Sequence, residues 1–208
     1  MRMKDLFLTV SFLSINNQSQ ALTINGVKID DKIIIWDRDG TITASKTPQD
    51  KKTRIILPGV REVMRVSKFN LVVSGFKSPE SESHNFDPDI VADLLVSLMR
   101  ELPISAAAFS PSIGGISCYV IVKKGDQFSI IRTHEDPKYE EYIGKFKKPD
   151  VGMFKVISDI AGREFGVKMD SENTLMIGDT WHDKVAAQEF GIPFLEAKFV
   201  HSHLGNSR

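Results

Sequence analysis

Two aspartates separated by one residue directly follow a short apolar run. The run is residues 33–36, the acids are Asp37 and Asp39, and Gly40 comes next. A run of this kind is typical of a strand buried in a parallel sheet, and the carboxyl end of such a strand is where side chains meet a substrate. Gly40 allows a sharp turn at that point. By itself the pattern also fits a strand followed by an ordinary Asp-Gly turn.

A second apolar run ends in an acid far downstream. Residues 174–177 lead through Gly178 to Asp179, and Asp183 follows four residues later. Asp183 alone would be an ordinary carboxylate at a helix N-terminus. Neighbouring strands that both end in Asp bring like charges together, which costs free energy unless a cation neutralises them. Three hard oxygen donors together with water suit Mg²⁺, so the sequence indicates a magnesium site.

Two further groups are suited to binding an anion. Residues 71–73 form a third apolar run that ends in Ser74 and Gly75, and Lys148 directly precedes Pro149 at an expected helix start. An ammonium group beside a helix N-terminus favours phosphate. Each feature has an ordinary reading, a turn residue for Ser74 and a solvated charge cluster for the lysines. Together they predict a phosphate pocket that faces the acids.

The elements that position these groups follow the rhythm of βα units. From residue 32 onward, short apolar runs alternate with amphipathic stretches, which is typical of a parallel sheet covered by helices. Expected strands cover residues 33–36, 71–73, 104–109, 174–177 and 192–195. Expected helices begin at about Gly59, Pro88, Pro149 and His182, with stop signals at Gly166 and Gly191.

The second of these helices carries a broad apolar stripe that we expect to be buried. It consists of Ile90, Val91, Leu94, Leu95, Leu98 and Met99.

Two segments depart from the βα rhythm and predict β-hairpins. One covers residues 6–29, where a strand, a turn at residues 16–19 and a strand at residues 21–29 are expected. A short secretory signal at residues 6–13 is the alternative. The other covers about residues 112–142, which we expect to project from the carboxyl edge of the sheet and to overhang the leaving-group pocket. Its alternative is a hairpin that extends the sheet or forms an oligomer interface.

Composition excludes several functional classes. The 208 residues contain 41% hydrophobic and 26% charged residues, as in ordinary soluble proteins, and no run approaches the 18 apolar residues of a membrane span. Lys and Arg total 27, as do Asp and Glu, so net charge gives no support for binding nucleic acid or an anionic membrane. The single cysteine, Cys118, cannot form an intramolecular disulfide, which favours a cytoplasmic location.

These motifs together resemble the haloacid dehalogenase (HAD) superfamily. Asp37-x-Asp39-Gly40-Thr41, Ser74, Lys148-Pro149 and Gly178-Asp179-x-x-x-Asp183 stand in the order of its four motifs, over about residues 32–196. The stretch at residues 147–153 is similar to that of the subclass III branch, which includes histidinol-phosphate phosphatases and polynucleotide 3′-phosphatases.

The resemblance implies a fold and a role for each residue. The fold is α/β, a Rossmann-like three-layer parallel sheet. Asp37 would be the phosphoryl-accepting nucleophile and Asp39 the general acid and base. Ser74, Gly75 and Lys148 would hold phosphate. Mg²⁺ would be held by Asp37, Asp179 and the backbone carbonyl of Asp39, and Asp183 would orient Lys148 or the waters on the metal.

The expected activity is that of a Mg²⁺-dependent phosphomonoesterase that forms an aspartyl phosphate. Its substrate would be a small phosphorylated metabolite or a nucleotide or nucleic-acid phosphate end. A phosphotransferase or mutase and a non-catalytic binding protein on the same fold are the alternatives. We expect an N-terminal extension at residues 1–31, a catalytic domain at residues 32–200 and a frayed tail at residues 201–208. The sequence leaves the oligomeric state open.

Overall fold

The structure, a computed structural model, describes residues 21–46, 54–75 and 87–205. Strands and helices alternate through most of these ranges. The strands are β1 (Thr23–Ile24), β2 (Val27–Lys28), β3 (Ile33–Trp36), β4 (Thr43–Ser45), β5 (Arg54–Ile56), β6 (Phe69–Gly75), β7 (Ala106–Ser110), β8 (Tyr119–Lys124), β9 (Gln127–Arg132), β10 (Thr174–Gly178) and β11 (Phe194–Glu196). The α-helices are α1 (Val60–Val66), α2 (Pro88–Glu101), α3 (Gly152–Phe165), α4 (Trp181–Phe190) and α5 (Ala197–Gly205). Within the described ranges, no helix combines the length and apolar character needed to cross a bilayer.

A seven-stranded sheet forms the centre of the molecule. Its order is β11-β10-β3-β6-β7-β8-β9, and the first five strands are parallel. β3 lies between β10 and β6, with Ile35 opposite Met176 on one side and Leu71 on the other. The carboxyl ends of these three strands therefore meet at one edge of the sheet. The predicted Rossmann-like α/β fold is confirmed.

Helices cover both faces of this sheet and give three layers. Because side chains alternate along a strand, Ile34 and Trp36 face one layer while Ile33 and Ile35 face the other. The first layer contains buried residues of α1, α2 and α5, and the second those of α3 and α4. Burial on both faces explains why the central strands are continuous apolar runs rather than alternating ones.

The third predicted helix begins later than expected. Residues 149–151 form a turn, and α3 starts at Gly152, whose amide donates to the carbonyl of Lys145 at 3.2 Å. A Cβ on Gly152 would come within 2.6 Å of that carbonyl oxygen, so the close approach requires glycine. The expected C-terminal stop is confirmed, since Gly166 has a φ of 67°.

The apolar stripe of α2 is only partly buried, which corrects the expectation. Val91 and Leu95 are buried, but Ile90 is 60% and Leu94 is 52% exposed. A stripe that includes neighbouring pairs of residues is wider than the face a helix can bury against one sheet. The outer members of the first two pairs therefore lie in solvent, whereas both Leu98 and Met99 are buried.

The second predicted hairpin exists but does not project from the sheet. β8 pairs antiparallel with β7, with Tyr119 opposite Phe109, and β9 pairs with β8. The turn at Gly125 therefore lies at the edge opposite the carboxyl ends of the parallel strands. The expected overhang was wrong, and the alternative of an extended sheet was right. Pairing with β8 satisfies backbone groups on β7 that would otherwise have formed an open edge.

The first predicted hairpin differs as well. Residues 21–29 fold back on themselves, because Asn25 and Gly26 have φ values of 48° and 78° and form a tight turn between β1 and β2. They do not form the single strand that was expected. Residues 6–20 of the predicted hairpin lie outside the described residues.

The expected C-terminal tail is helical as far as Gly205. Val200 is fully buried, and its carbonyl oxygen would lie 2.4 Å from a Cβ on Gly59. The Nε2 atom of His201 lies 2.9 Å from the carbonyl oxygen of Thr41. These contacts hold α5 against Gly59, which precedes α1, and against Thr41 in the loop that follows β3. They explain why the chain does not fray at residue 201.

Candidate active site

Three carboxylates come together at the carboxyl edge of the sheet. Asp37 follows β3, Asp179 follows β10, and Asp183 lies in the first turn of α4. Their ligand oxygens all lie within 4.8 Å of one another. Asp37 and Asp183 are buried, whereas Asp179 is exposed. The predicted convergence of Asp37 and Asp179 is therefore present, and Asp183 joins them.

Lys148 bridges two of these acids. Its Nζ atom donates to Oδ1 of Asp37 and to Oδ1 of Asp183, and it lies 3.5 Å from the carbonyl oxygen of Val73. Burial disfavours its charged form, but the carboxylates of Asp37 and Asp183 outweigh burial and raise the pKa of Lys148. The ammonium group therefore stays charged inside the site.

The acidic cluster has more negative charge than Lys148 can balance. Burial, together with the neighbouring carboxylates of Asp183 and Asp179, raises the pKa of Asp37 to about 6 against the opposing charge of Lys148. Burial and the charge of Asp183 also raise the pKa of Asp179. A divalent cation bound by carboxylate oxygens would remove this imbalance, so the residues present fit Mg²⁺.

Two glycines allow the acids to approach so closely. Gly40 has a φ of 83°, and a Cβ there would lie 2.1 Å from Oδ2 of Asp179. A Cβ on Gly178 would lie 2.5 Å from Cβ of Asp183. Any side chain at either position would displace an acid, which is the physical reason for glycine after Asp39 and before Asp179.

Asp183 holds Lys148 and caps α4 with different oxygens. Its Oδ2 atom accepts hydrogen bonds from the Thr180 amide at 3.0 Å and the Thr180 hydroxyl at 2.6 Å. Its Oδ1 atom is thereby left for Lys148. The interpretation of Asp183 as the residue that orients Lys148 agrees with this geometry. The sequence analysis missed Thr180, although Thr-x-x-Asp before a helix is a capping-box pattern.

Asp39 occupies a different environment. Its Oδ2 atom accepts from Nη2 of Arg38, and its Oδ1 atom lies 3.2 Å from Nη1 of Arg54, at the start of β5. The carboxylate lies outside the cluster of three acids. The sequence analysis missed both arginines. Arg38 could have been noticed as the residue between the two acids, but Arg54 is brought in only by the pairing of β4 with β5.

The predicted phosphate-binding residues lie at the end of β6. Gly75 lines the pocket, and a Cβ there would meet no described atom within 4 Å, so the backbone is open to a ligand. Ser74 is buried at 1% exposure and does not line the pocket. Of the two residues, Gly75 thus has the direct access.

The cavity at this edge has a volume of about 220 Å³. All predicted site residues except Ser74 line it. Among the described residues, four that the sequence did not point to also line it: Ser112, Lys147, Thr180 and His182. The hydroxyl of Ser112 accepts from the Ile116 amide at 2.9 Å, and Nζ of Lys147 donates to the Ile113 carbonyl at 3.0 Å. The loop before β8, rather than the hairpin itself, therefore contributes to this wall.

Two comparisons found proteins to which this chain is similar. Residues 146–196, which contain Lys148, Asp179 and Asp183, match the family described as HAD-hydrolase-like. The chain is also similar to the crystal structure of a D,D-heptose 1,7-bisphosphate phosphatase from B. bronchiseptica in complex with magnesium and phosphate. The two share 19% sequence identity over 78% of each chain, with a TM-score of 0.44. No curated protein matches the sequence.

Proposed function

We propose that this chain is a HAD-type, Mg²⁺-dependent phosphomonoesterase that works through an aspartyl phosphate on Asp37; the match of residues 146–196 to a HAD-hydrolase-like family model supports this proposal. The observation that carries this proposal is the site itself. Oxygens of Asp37, Asp179 and Asp183 lie within 4.8 Å of one another beside one charged lysine, in a pocket at the carboxyl edge of a parallel sheet.

Asp37 is proposed as the nucleophile. Lys148 binds its Oδ1 atom, which leaves the other oxygen to attack phosphorus. A bond forms between that oxygen and phosphorus while the bond from phosphorus to the leaving oxygen breaks. Water then attacks the same phosphorus, and inorganic phosphate and the free carboxylate of Asp37 are released.

Asp39 is proposed as the proton carrier for both steps. It gives a proton to the leaving alkoxide and later takes one from the attacking water. Its carboxylate lines the pocket and is 41% exposed, so it can reach a leaving group. Both of its oxygens contact arginines, and one of them must turn from its arginine towards the substrate for the transfer.

The remaining residues bind and orient the phosphate. Lys148 neutralises charge on its oxygens, the open backbone at Gly75 approaches them, and Ser74 supports this end of β6. Asp183 keeps Lys148 in place. Mg²⁺ held by Asp37, Asp179 and the backbone carbonyl of Asp39 would supply further positive charge for the phosphoryl oxygens.

The proposed substrate is a small phosphorylated metabolite or a nucleotide phosphate. The pocket opens to solvent and has no described overhanging hairpin, which favours transfer to water over transfer to an acceptor hydroxyl. The neutral net charge gives no support for a long nucleic-acid partner. We also propose residues 32–200 as the catalytic unit and a cytoplasmic location. The latter rests on the single cysteine.

The test is hydrolysis of p-nitrophenyl phosphate with defined metals. We expect activity with Mg²⁺, its loss in EDTA, recovery on adding Mg²⁺ back, and inhibition by Ca²⁺, whose larger and more flexible ligand shell misplaces nucleophile and phosphate. Full activity in EDTA would reject the metal-dependent mechanism. Binding of phosphate without turnover of any ester would instead favour a non-catalytic protein.

A further inference from the structure

Trp181 stands exposed next to the pocket. It begins α4 between Thr180 and His182, both of which line the cavity, and it is 63% exposed to solvent. A tryptophan that served only to pack this loop would be largely buried. The buried residues of the same helix include Ala186 and Ala187, which face the sheet.

The Trp181 ring is held in a defined position. It stacks on the His182 ring, with centroids 3.8 Å apart and planes 27° apart. Both residues lie within the capping box, between Thr180 and Asp183, whose hydrogen bonds fix the first turn of α4. His182 covers one face of the indole, and the high exposure of Trp181 leaves the opposite face to solvent.

The pocket lined by the described residues is smaller than sites that usually enclose a whole substrate. Its volume of about 220 Å³ is below the range of about 300 Å³ and more that is usual for sites which surround a ligand. Its floor is formed by charged groups suited to the phosphate and its counterions. A leaving group attached to phosphate at this floor would therefore extend past the described lining. His182 belongs to that lining, and the Trp181 ring stacks on His182.

We propose that the stacked pair of Trp181 and His182 binds a planar aromatic ring of the leaving group, with a nucleobase as the chemical class that fits it. This inference rests on the proposed phosphatase function. A nucleobase stacks face to face on an aromatic side chain without needing hydrogen bonds to its edge. A sugar phosphate without a base offers no such face. The pair would therefore make the enzyme prefer nucleoside monophosphates.

The kinetic test compares adenosine 5′-monophosphate with ribose 5-phosphate, which differ only in the base. We expect Trp181→Ala to reduce kcat/KM for the nucleotide about tenfold, mainly through KM, because base stacking contributes to binding on this scale. Hydrolysis of ribose 5-phosphate should change less than twofold. Trp181→Phe should restore most of the nucleotide activity. The matched control is Ile130→Ala, which truncates another exposed apolar side chain on β9 and should alter neither substrate.

A binding measurement gives a second readout that needs no turnover. The sequence has two tryptophans, and Trp36 is fully buried, so quenching by an added ring should report on Trp181. With Asp37→Asn protein and Mg²⁺, the nucleotide should quench fluorescence and ribose 5-phosphate should not. Absence of quenching, or an equal kinetic loss on both substrates in Trp181→Ala, would overturn the inference.

These experiments distinguish failure of the ring-binding role from failure of the phosphatase function. An enzyme that hydrolyses p-nitrophenyl phosphate with Mg²⁺ but shows no preference for the nucleotide over ribose 5-phosphate would retain the phosphatase function and lose the ring-binding role. An enzyme with no Mg²⁺-dependent hydrolysis of any of the three esters would reject both.

Discussion

Asp37 and Asp39 lie two residues apart in the chain, yet each sits in a different half of the site. In the buried half, the side chains of Lys148, Asp37 and Asp183 are 9%, 11% and 1% exposed. In the open half, those of Asp39 and Arg54 are 41% and 40% exposed. Both halves consist of carboxylates paired with cations, and the main difference between them is access to water.

This difference in exposure changes how much each ion pair contributes to the stability of the protein. A buried pair interacts at low effective dielectric, and removing one partner leaves a buried charge uncompensated, at a typical cost of about 3–5 kcal/mol. A pair exposed to this extent is screened by water and contributes about 0–1 kcal/mol. The buried half is therefore suited to fixing the proposed nucleophile, whereas ion pairs in the open half can exchange partners during the proposed proton transfer.

The largest expected effect is that of Asp37→Asn. An amide cannot attack phosphorus and is a poorer metal ligand, so turnover should fall more than a thousandfold. The measurement is the initial rate of p-nitrophenyl phosphate hydrolysis with Mg²⁺, with Asp93→Asn on the exposed face of α2 as the control. Retention of even a tenth of the wild-type rate would mean that Asp37 is not the nucleophile.

The same variant also tests the charge imbalance in the buried half. Burial raises the pKa of Asp37 to about 6 from an ordinary 3.8, so the folded protein without metal binds that proton more tightly than the unfolded chain. This contribution to stability is present below pH 4 and is lost as pH rises through about 6. In EDTA, the free energy of unfolding of Asp37→Asn should therefore rise relative to that of wild type as the pH increases from about 4 to about 6. Urea unfolding at pH 4.5 and pH 7.5 measures the change, and a constant difference would contradict it.

Lys148→Met should destabilise the protein more than removal of a cation from the open half does. It leaves Asp37 and Asp183 without their shared cation, and we expect a loss of about 3 kcal/mol in the free energy of unfolding in EDTA, together with loss of activity. Arg54→Met, which breaks an ion pair in the open half, should cost less than about 1 kcal/mol. Equal losses in urea unfolding would show that exposure does not distinguish the pairs.

Asp39→Asn should affect rate and leave stability nearly unchanged. Loss of a positioned acid and base typically costs about 10²–10⁴-fold in rate. An aryl leaving group needs little protonation, so the loss should be smaller for p-nitrophenyl phosphate than for an alkyl phosphate. Parallel kinetics on both esters decide the point, because identical losses are not expected of a residue that protonates the leaving group.

The smallest expected effect on rate is that of Arg54→Gln. Removing one of the two arginines beside Asp39 frees its Oδ1 atom without altering the buried half. We expect turnover to change by less than about tenfold, because the ion pair is exposed and screened by water. A loss as large as that of Asp39→Asn would contradict this expectation.

The sequence predicted most of the residues that meet at the site. Strands of a parallel sheet end at a common edge, so acids after two apolar runs and a serine-glycine pair after a third had to lie near one another. Gly40 was readable as a turn residue after Asp39, but the close approach of Gly40 to Asp179 and of Gly178 to Asp183 appears only in the structure.

The sequence could not predict features that depend on which elements meet. The hairpin after β7 was readable as a hairpin, but local turn chemistry does not say whether its strands join the sheet or rise above it. The exposure of Ile90 and Leu94 depends on the width of the face that the sheet can cover. Thr180 was readable from the sequence as part of a capping pattern. Its role in orienting Asp183 towards Lys148 was not, because Lys148 lies 32 positions before Thr180 in the chain.

By itself, the sequence determined the fold class and the chemistry of the central acids, because strand period, apolar runs and glycine positions are local properties of the chain. Only the tertiary structure decided the partners of each acid. It buried Asp37 with Lys148, left Asp39 between Arg38 and Arg54, and kept Trp181 exposed to solvent, stacked on the pocket residue His182. The burial of a side chain and its charged partners depend on segments that are distant in the sequence. They are therefore fixed only when those segments pack together.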